Sequence, residues 1–238
     1  MKLDILAFGA HPDDVEISSS GTLMKHIATG KKVGVVDLTQ GELGSRGTVE
    51  TRYAEAEAAS KIMGLHARVN LKMKDGLFEI SEANKRLIVE QIRRFQPDIV
   101  LANAIEDRHP DHGRGSQLVS EACFLAGLIK FETTFEGENQ APFRPKNVYH
   151  YIQDRYIKPD FVVDVTGFYD RKIQAIKAYS SQFFDPNSEE PETPISGKEF
   201  LEFIEARLIQ FGRPIGARYA EGFTVERTLG VKDLTDLD

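Results

Sequence analysis

The sequence predicts an α/β fold, a Rossmann-like and mostly parallel sheet flanked by helices, with a C-terminal α/β extension. Short β-branched runs alternate with helical patterns through the first half, which is typical of βαβ units. With 238 residues, 41% of them hydrophobic, the chain is long enough to bury one full core. We therefore expect a single domain over residues 1–238, with the Rossmann-like core over about 1–130 and the extension over about 131–230.

The first half contains strand and helix patterns in strict alternation. Gly30 and Gly64 follow the first two helical patterns, where left-handed C-caps belong, and Pro97 follows the third. Strands are expected at residues 3–9, 32–38, 68–71 and 99–102, and helices at residues 17–29, 50–63 and 82–95.

The second half continues with a mixture of strands and helices. Helices are expected at residues 112–128, 168–179 and 198–211, and strands at residues 148–152 and 161–165. Residues 185–194 are rich in proline and acids and lack aliphatic or aromatic side chains, which indicates an exposed loop.

Composition excludes several classes of protein. A formal charge of -7 argues against nucleic acid as a partner, because phosphate-backbone binding needs clustered Lys and Arg. No apolar run approaches the roughly 20 residues that span a bilayer, so no membrane association is expected. The single cysteine, Cys123, cannot form an internal disulfide. Together these features favour a soluble, cytoplasmic protein.

A polar motif follows the first predicted strand, in the segment from Gly9 to Asp14. A dinucleotide-binding protein would place a glycine-rich turn here, yet only Gly9 is present. The histidine and two carboxylates of His11, Asp13 and Asp14 would repel a pyrophosphate but suit a cation. Imidazole and carboxylate groups are ordinary zinc ligands, and a catalytic zinc site typically has three of them.

A second polar motif, residues 106–112, follows the fourth predicted strand. In a doubly wound sheet the first and fourth strands are neighbours at the switch point, where ligands bind. The two motifs, almost 100 residues apart, should then face one pocket. Pro12 and Pro110 restrict the backbone within each motif, which helps to aim the side chains.

The sequences HPDD at 11–14 and HPDH at 109–112 resemble those of the LmbE-like, or PIG-L, family of zinc deacetylases that act on N-acetylglucosamine derivatives. The similarity extends from about Ile5 to Phe223. The segments at 106–112 (EDRHPDH), 178–183 (AYSSQF) and 219–223 (YAEGF) resemble the members that deacetylate N-acetylglucosaminyl-malate in bacillithiol biosynthesis. One departure is residues 18–21, Ser-Ser-Ser-Gly, where the family usually has a glycine-rich turn, so a more polar wall beside the metal is expected.

The resemblance implies one Zn²⁺ per subunit, held by His11, Asp14 and His112. Such ligands also accept other divalent metals, Fe²⁺ among them. Asp13 would be the general base, taking the proton of the attacking water and passing it to the sugar amine. The resemblance also implies a homo-oligomer, since similar proteins are often hexamers.

His109 is expected to stabilise the oxyanion of the tetrahedral intermediate. Arg108 would either help His109 to stabilise the oxyanion or bind substrate. For Asp111 two interpretations stay open, the orientation of a neighbouring histidine and the capping of the turn after Pro110.

The remaining predicted residues would bind substrate. Glu42 and Arg46 lie on the glycine-punctuated loop after the second strand, and Arg52 begins the next helix. By resemblance Arg52 binds substrate, and a guanidinium suits the malate carboxylates, although pairing with a nearby acid such as Glu55 is the alternative. Two further pocket residues, carried over from the family, are Gln182 and Glu221.

Two other functions fit the same motifs. One is a zinc amidohydrolase that cleaves a thiol-sugar conjugate, which would use identical ligands. The other is a non-catalytic sugar- or nucleotide-binding module. Asp13 argues against the second, because a binding protein needs no free carboxylate beside the metal.

Overall fold

A computed structural model of the chain, which describes residues 1–183 and 189–236, contains alternating strands and helices in its first half. Each of the first four strands is followed by a helix. In chain order the elements are β1 (Ile5–Gly9), α1 (Asp14–Ala28), β2 (Val33–Thr39), α2 (Val49–Met63), β3 (Ala67–Met73), α3 (Glu82–Phe95), β4 (Ile99–Ala102) and α4 (Pro110–Ala126).

The second half adds strands to the same sheet and two longer helices, together with short 3-10 turns. Of the predicted loop at 185–194, residues 185–188 lie outside the described residues, and 189–194 are mostly exposed. The elements are β5 (Thr134–Phe135), β6 (Glu138–Asn139), β7 (Asn147–Tyr151), β8 (Phe161–Asp164), α5 (Tyr169–Lys177), α6 (Lys198–Gly212) and β9 (Ala220–Val225), with 3-10 turns at Thr166–Phe168, Arg213–Ile215 and Leu234–Asp236.

The main sheet has seven strands in the order β3-β2-β1-β4-β7-β9-β8. Strands β3, β2, β1, β4 and β7 are mutually parallel, whereas β9 pairs antiparallel with both β7 and β8. Because β1 lies between β2 and β4, the chain reverses its direction of winding there. The predicted fold class and the predicted contact between the first and fourth strands are confirmed.

Both faces of the central strands are covered, which explains their continuous apolar sequences. Leu6 and Phe8 of β1 point to the face covered by α3 and α4, where they pack with Leu118. Ile5 and Ala7 point to the opposite face, which α1 covers. The sheet is thereby fixed between two layers, and only its strand ends are free to form a site.

Strand β9 is absent from the sequence-based prediction. Its Gly222 is a poor strand former, yet a Cβ there would lie 2.8 Å from the Phe211 ring, so the close packing of α6 requires glycine. Helix and strand patterns thus missed an element that tertiary packing stabilises.

Two helices begin earlier than predicted. Helix α1 begins at Asp14 instead of residue 17, and α4 begins at Pro110, with His109 as its N-cap, instead of residue 112. Proline is favoured in the first helical position and carboxylates in the first turn, so both motifs contain the start of their helix. Among the residues described, no helix is long and apolar enough to cross a membrane.

Candidate active site

Polar side chains converge at the carboxyl edge of the parallel strands. His11 and Asp14 follow β1, Asn103 follows β4, and Gln153 follows β7. Asn103 and Gln153 both donate hydrogen bonds to the Asp14 carboxylate, at 3.0 Å and 2.7 Å. The side chains of three strand ends therefore meet at one carboxylate.

Asp14 also lies between two imidazoles. Its Oδ2 is 3.6 Å from Nδ1 of His11, and its Oδ1 is 3.2 Å from Nε2 of His112. Ligand atoms bound tetrahedrally to zinc at about 2.0–2.2 Å would be roughly 3.3–3.6 Å apart. Each of these two spacings suits a shared cation. His11, Asp14 and His112 are nevertheless not one of the groups of described residues whose three ligand atoms all lie within 4.8 Å of one another, so this ligand set stays a prediction.

The opposite side of each imidazole faces a carboxylate. His112 Nδ1 is 2.6 Å from Oδ2 of Asp107, while His11 Nε2 is 3.0 Å from Oδ1 of Asp75 and 3.4 Å from Oδ2 of Asp111. Metal-binding histidines usually present their second nitrogen to such a group, which fixes the ring and the tautomer. Of the two interpretations of Asp111, the contact with His11 matches the orienting one.

The charge balance also fits a cation. Burial lowers the pKa of His11, but hydrogen bonds to Asp111, Asp14 and Asp75 outweigh it and raise the pKa well above its usual value. For His112, burial is likewise outweighed by Asp14 and Asp107, and the pKa rises to about 9. Both imidazoles are therefore surrounded by carboxylates, and a cation bound to them would take the place of the two imidazolium protons.

His109 completes a cluster of three histidines. Ligand atoms of His11, His109 and His112 lie within 4.8 Å of one another, as do those of His11, Asp75 and Asp111. The backbone N–H of Asp111 donates to His109 Nδ1 at 3.3 Å, which places the proton of the neutral ring on Nε2. Burial and the nearby charges of His11 and His112 lower the His109 pKa, so this ring stays a neutral donor.

Asp13 occupies a strained and buried position. Its φ of 118° lies in a region that non-glycine residues rarely adopt, and such strain concentrates at functional sites. Burial raises its pKa to about 7, with Arg52 opposing and Asp14 adding to the rise. A carboxylate of this pKa can accept and return a proton near neutral pH.

Arg52 lies directly against Asp13. Its Nη2 donates to the Pro12 carbonyl oxygen and lies 3.3 Å from Asp13 Oδ2. Glu55, its alternative partner in the sequence analysis, instead accepts hydrogen bonds from Ser181. Arg52 is only 4% exposed and lines the cavity, so its position fits the orientation of Asp13 better than the capture of a free dicarboxylate.

Glu42 and Arg46 are not among the described residues that line the cavity, so their predicted role in substrate binding stays a prediction. Glu42 Oε1 accepts from the backbone N–H of Asp75 at 2.9 Å, and Arg46 Nε donates to the Ser181 carbonyl at 2.7 Å. Both side chains hold the loop after β2 against its neighbours. Gln182 does line the cavity, and its amide donates to the Arg46 carbonyl at 2.8 Å.

Arg108 and Glu221 line the cavity at different depths. Arg108 is at the rim, 42% exposed in its side chain, and donates to Asp154 at 2.9 Å. Glu221 is buried, where it accepts from the backbone of Gly21 and Thr22 in α1 and pairs with Lys172 at 2.8 Å. Glu221 thus has protein partners already, and its substrate-binding role stays a prediction.

The cavity has a volume of about 300 Å³. Ser18 lies one helical turn after Asp14. This position agrees with the polar wall beside the metal that residues 18–21 led us to expect. Its Oγ and the Gln153 Oε1 are buried atoms that line the cavity and have no hydrogen-bond partner in the described parts of the chain. Buried polar atoms of this kind cost free energy unless a ligand or water satisfies them.

Several site residues were missed by the sequence analysis although a signal existed. Asn103 follows β4 directly, while Asp75 and Gln153 each stand two residues beyond β3 and β7. Asp107 lies inside the second motif but received no role. In a parallel sheet, polar residues just after any central strand end on the same edge, so each of these positions was a candidate.

The fold and the site define a class: α/β proteins with a cluster of histidines and carboxylates at the switch point of a parallel sheet. The chain belongs to the PIG-L family of deacetylases. A sequence profile of that family, described as GlcNAc-PI de-N-acetylase, matches residues 6–123, which include both motifs.

The relatives align with about three quarters or more of the chain. A diacetylchitobiose deacetylase of Thermococcus kodakarensis is 28% identical over 92% of this chain and 81% of its own length. The crystal structure of a conserved protein of Thermus thermophilus aligns with a TM-score of 0.85 and 35% identity, covering 97% of this chain and 98% of that one. A 4-oxalmesaconate hydratase of Pseudomonas putida is 26% identical over 74% of this chain and 73% of its own length.

Proposed function

We propose that this protein is a metal-dependent N-deacetylase that hydrolyses the N-acetyl group of an N-acetylglucosamine derivative to give acetate and a free amine. One observation carries the proposal. The Asp14 carboxylate faces both His11 and His112 at 3.6 Å and 3.2 Å, while the buried carboxylate of Asp13 lines the same cavity. Family membership supports the same reaction class.

His11, Asp14 and His112 would hold the cation, which we propose to be Zn²⁺ with one ion per subunit, Fe²⁺ being a further candidate. Bound there, it would supply Lewis-acid activation of water and of the acetyl carbonyl. Asp13 accepts a proton from the attacking water, because its carboxylate is buried in the same cavity beside the proposed ligands. Arg52 holds that carboxylate in place.

His109 and Asp13 complete the reaction. The Nε2–H of neutral His109 donates to the oxygen of the acetyl carbonyl as negative charge develops on it. As the C–N bond breaks, Asp13 returns its proton to the sugar nitrogen, so the amine leaves in neutral form. Arg108 stands at the rim, where substrate enters, and we assign it to substrate binding.

The substrate class follows from unsatisfied polar atoms. Ser18 Oγ and Gln153 Oε1 have no hydrogen-bond partner among the described residues, so both can accept hydrogen bonds from sugar hydroxyls. N-acetylglucosaminyl-malate, as in bacillithiol biosynthesis, is the candidate that the segments 106–112, 178–183 and 219–223 favour. Diacetylchitobiose, the substrate in the name of one relative, is another.

The experiment is an assay for acetate and primary amine with the metal-loaded protein. The panel contains N-acetylglucosaminyl-malate, diacetylchitobiose, N-acetylglucosamine and a thiol-sugar conjugate, and hydration of 4-oxalmesaconate is assayed in parallel. Equal yields of acetate and amine from an N-acetylglucosaminide are expected. Amine from the thiol-sugar conjugate alone would establish the rival amidase, and hydration of 4-oxalmesaconate alone would establish a hydratase.

Metal analysis tests the proposed ligands, and turnover separates an enzyme from a binding module. His112→Ala should reduce the metal content of the purified protein, because it removes a proposed ligand. We propose that the protein is a homo-oligomer, and the family resemblance suggests a hexamer. Light scattering on the same samples measures the oligomeric state. Sugar binding without turnover in any metal form would favour the binding module.

A further inference from the structure

One helix forms the side of the cavity away from the histidine cluster. Along α6, the residues that line the cavity recur three and four positions apart, which places them on one face of the helix. Most of this face is apolar. It consists of Phe200, Phe203, Ile204, Arg207, Leu208 and Phe211, which we call the α6 wall.

Three isoleucines extend this apolar surface. Ile17 of α1, Ile152 after β7 and Ile195 before α6 line the cavity beside the α6 wall. Ile17 is three residues beyond Asp14 on the same helix, so the apolar surface begins within one turn of a proposed metal ligand. Any substrate placed at Asp14 is therefore in reach of it.

Arg207 is the one charged residue of the α6 wall, and the protein already uses its guanidinium. It donates to the carbonyl oxygens of Asp154 and Gln153 at 2.9 Å and 3.3 Å. Its guanidinium carbon also lies 4.9 Å from the centre of the Phe203 ring and 5.7 Å from that of Phe211. Arg207 thus joins the wall to Gln153, which itself donates to Asp14.

The chemistry of the wall selects among substituents of the sugar. The hydroxyls of a second sugar would lose water there without gaining acceptors, at a cost for each unsatisfied group. The two carboxylates of malate would need cations. The α6 wall offers only Arg207, and Arg108, which also lines the cavity, already pairs with Asp154. An alkyl or aryl group would instead gain from the burial of apolar surface on both sides.

We propose that the natural substrate is an N-acetylglucosaminide with an apolar aglycone, an alkyl or aryl group, which packs on the α6 wall. This inference rests on the proposed deacetylase function and narrows its substrate. The sugar ring would lie between the aglycone and the histidine cluster, with its hydroxyls near Ser18 and Gln153.

The test compares kcat/KM for methyl, phenyl and octyl N-acetylglucosaminides with that for N-octanoylglucosamine, diacetylchitobiose and N-acetylglucosaminyl-malate. We expect the phenyl or octyl glycoside to exceed the methyl glycoside about tenfold or more, because transfer of such a group from water is worth that factor. Octyl glucosaminide, a product analogue, should inhibit more strongly than methyl glucosaminide.

Two variants of α6 test whether the α6 wall causes the preference for the larger aglycone. Phe203→Ala removes a ring that is 38% exposed and lines the cavity, and it should reduce the phenyl-to-methyl preference about threefold or more. Ile209→Ala removes a side chain of the same helix that is 43% exposed and does not line the cavity, so the preference should be unchanged.

The outcomes separate the two claims. Equal kcat/KM for the methyl, phenyl and octyl glycosides, or a preference for malate or chitobiose, would overturn the apolar aglycone and leave the deacetylase intact. Preference for N-octanoylglucosamine would overturn the placement of the apolar group on the aglycone. Absence of amine from every compound would overturn the deacetylase function, and the aglycone with it.

Discussion

The two ends of the cavity are built in opposite ways. At the histidine end, most side chains are fixed by short polar contacts, as Asp14 is by Asn103, Gln153 and His112. At the α6 wall, residues such as Ile204 and Leu208 are fixed by packing in a hydrophobic cluster. The histidine end comes from motifs at strand ends, whereas the wall comes from an amphipathic helix near the end of the chain.

The reaction and the choice of substrate therefore depend on different parts of the cavity. A hydrogen bond or ligand contact has a defined length and direction, so the histidine end tolerates few residue types. An apolar wall requires only volume and shape, so many sequences satisfy it. Related proteins can therefore keep the reaction while the wall adapts to another substrate.

The largest effect is expected from the histidine end. Asp13→Asn keeps the shape of the side chain but removes the proton acceptor, so kcat should fall by about 10²–10⁴-fold. Metal content serves as the control and should stay normal, because Asp13 is not a proposed ligand. The measurement is acetate release at saturating substrate together with elemental analysis. Wild-type turnover in this variant would remove Asp13 as the base.

A substitution in the α6 wall should reduce the stability of the protein and leave metal binding unchanged. Ile204 is 5% exposed, so Ile204→Ala should lower the free energy of unfolding by about 2–5 kcal/mol. Metal affinity should stay the same, since the contacts of the histidine end are untouched. Urea unfolding measures the change, and Ile209→Ala, at a 43% exposed position of the same helix, should cost far less. Equal losses in both variants would show that the wall is not packed as described.

Removing a carboxylate behind a ligand should have an intermediate effect. Asp107→Asn weakens the contact with His112 Nδ1, now 2.6 Å, and should raise the metal dissociation constant about 10- to 100-fold. Asp154→Asn is the matched control, because Asp154 pairs with Arg108 at the rim. Competition with a chelating dye measures both. Identical affinities for the two variants would refute the orienting role of Asp107.

The pH profile tests the state of Asp13. The base must be ionised to act, and its pKa is raised to about 7 in the cavity without a cation. A bound cation favours the ionised form and lowers that pKa, so kcat/KM should fall about tenfold per pH unit below a midpoint between about pH 5 and 7. A profile that is flat from pH 5 to 8 would contradict this assignment.

The smallest effect is expected from Ser18→Ala, at the junction of the two ends. Its Oγ is buried and has no partner among the described residues, so the free energy of unfolding should change by less than about 1 kcal/mol. A hydrogen bond to the sugar would be lost, raising KM about two- to fivefold with kcat nearly unchanged. An unchanged KM would place the sugar elsewhere in the cavity.

The sequence determined the order of the first elements and the two ligand motifs. Alternating periodicities gave the βαβ pattern, and the rule for doubly wound sheets brought His11 and His112 together, because parallel strands end at one edge. The residue types alone indicated a cation instead of a nucleotide. None of this required knowledge of packing.

Only the tertiary structure decided which polar residues complete the site and what faces them. Asp75 and Gln153 reach the histidine cluster because β3 and β7 end at the same edge, while Glu42 and Arg46 turn away to hold a loop. Strand β9 and the α6 wall depend on contacts between distant segments. Local sequence encodes local backbone preferences, but the choice of partner for a side chain is made by the whole fold, where burial and hydrogen bonding are balanced together.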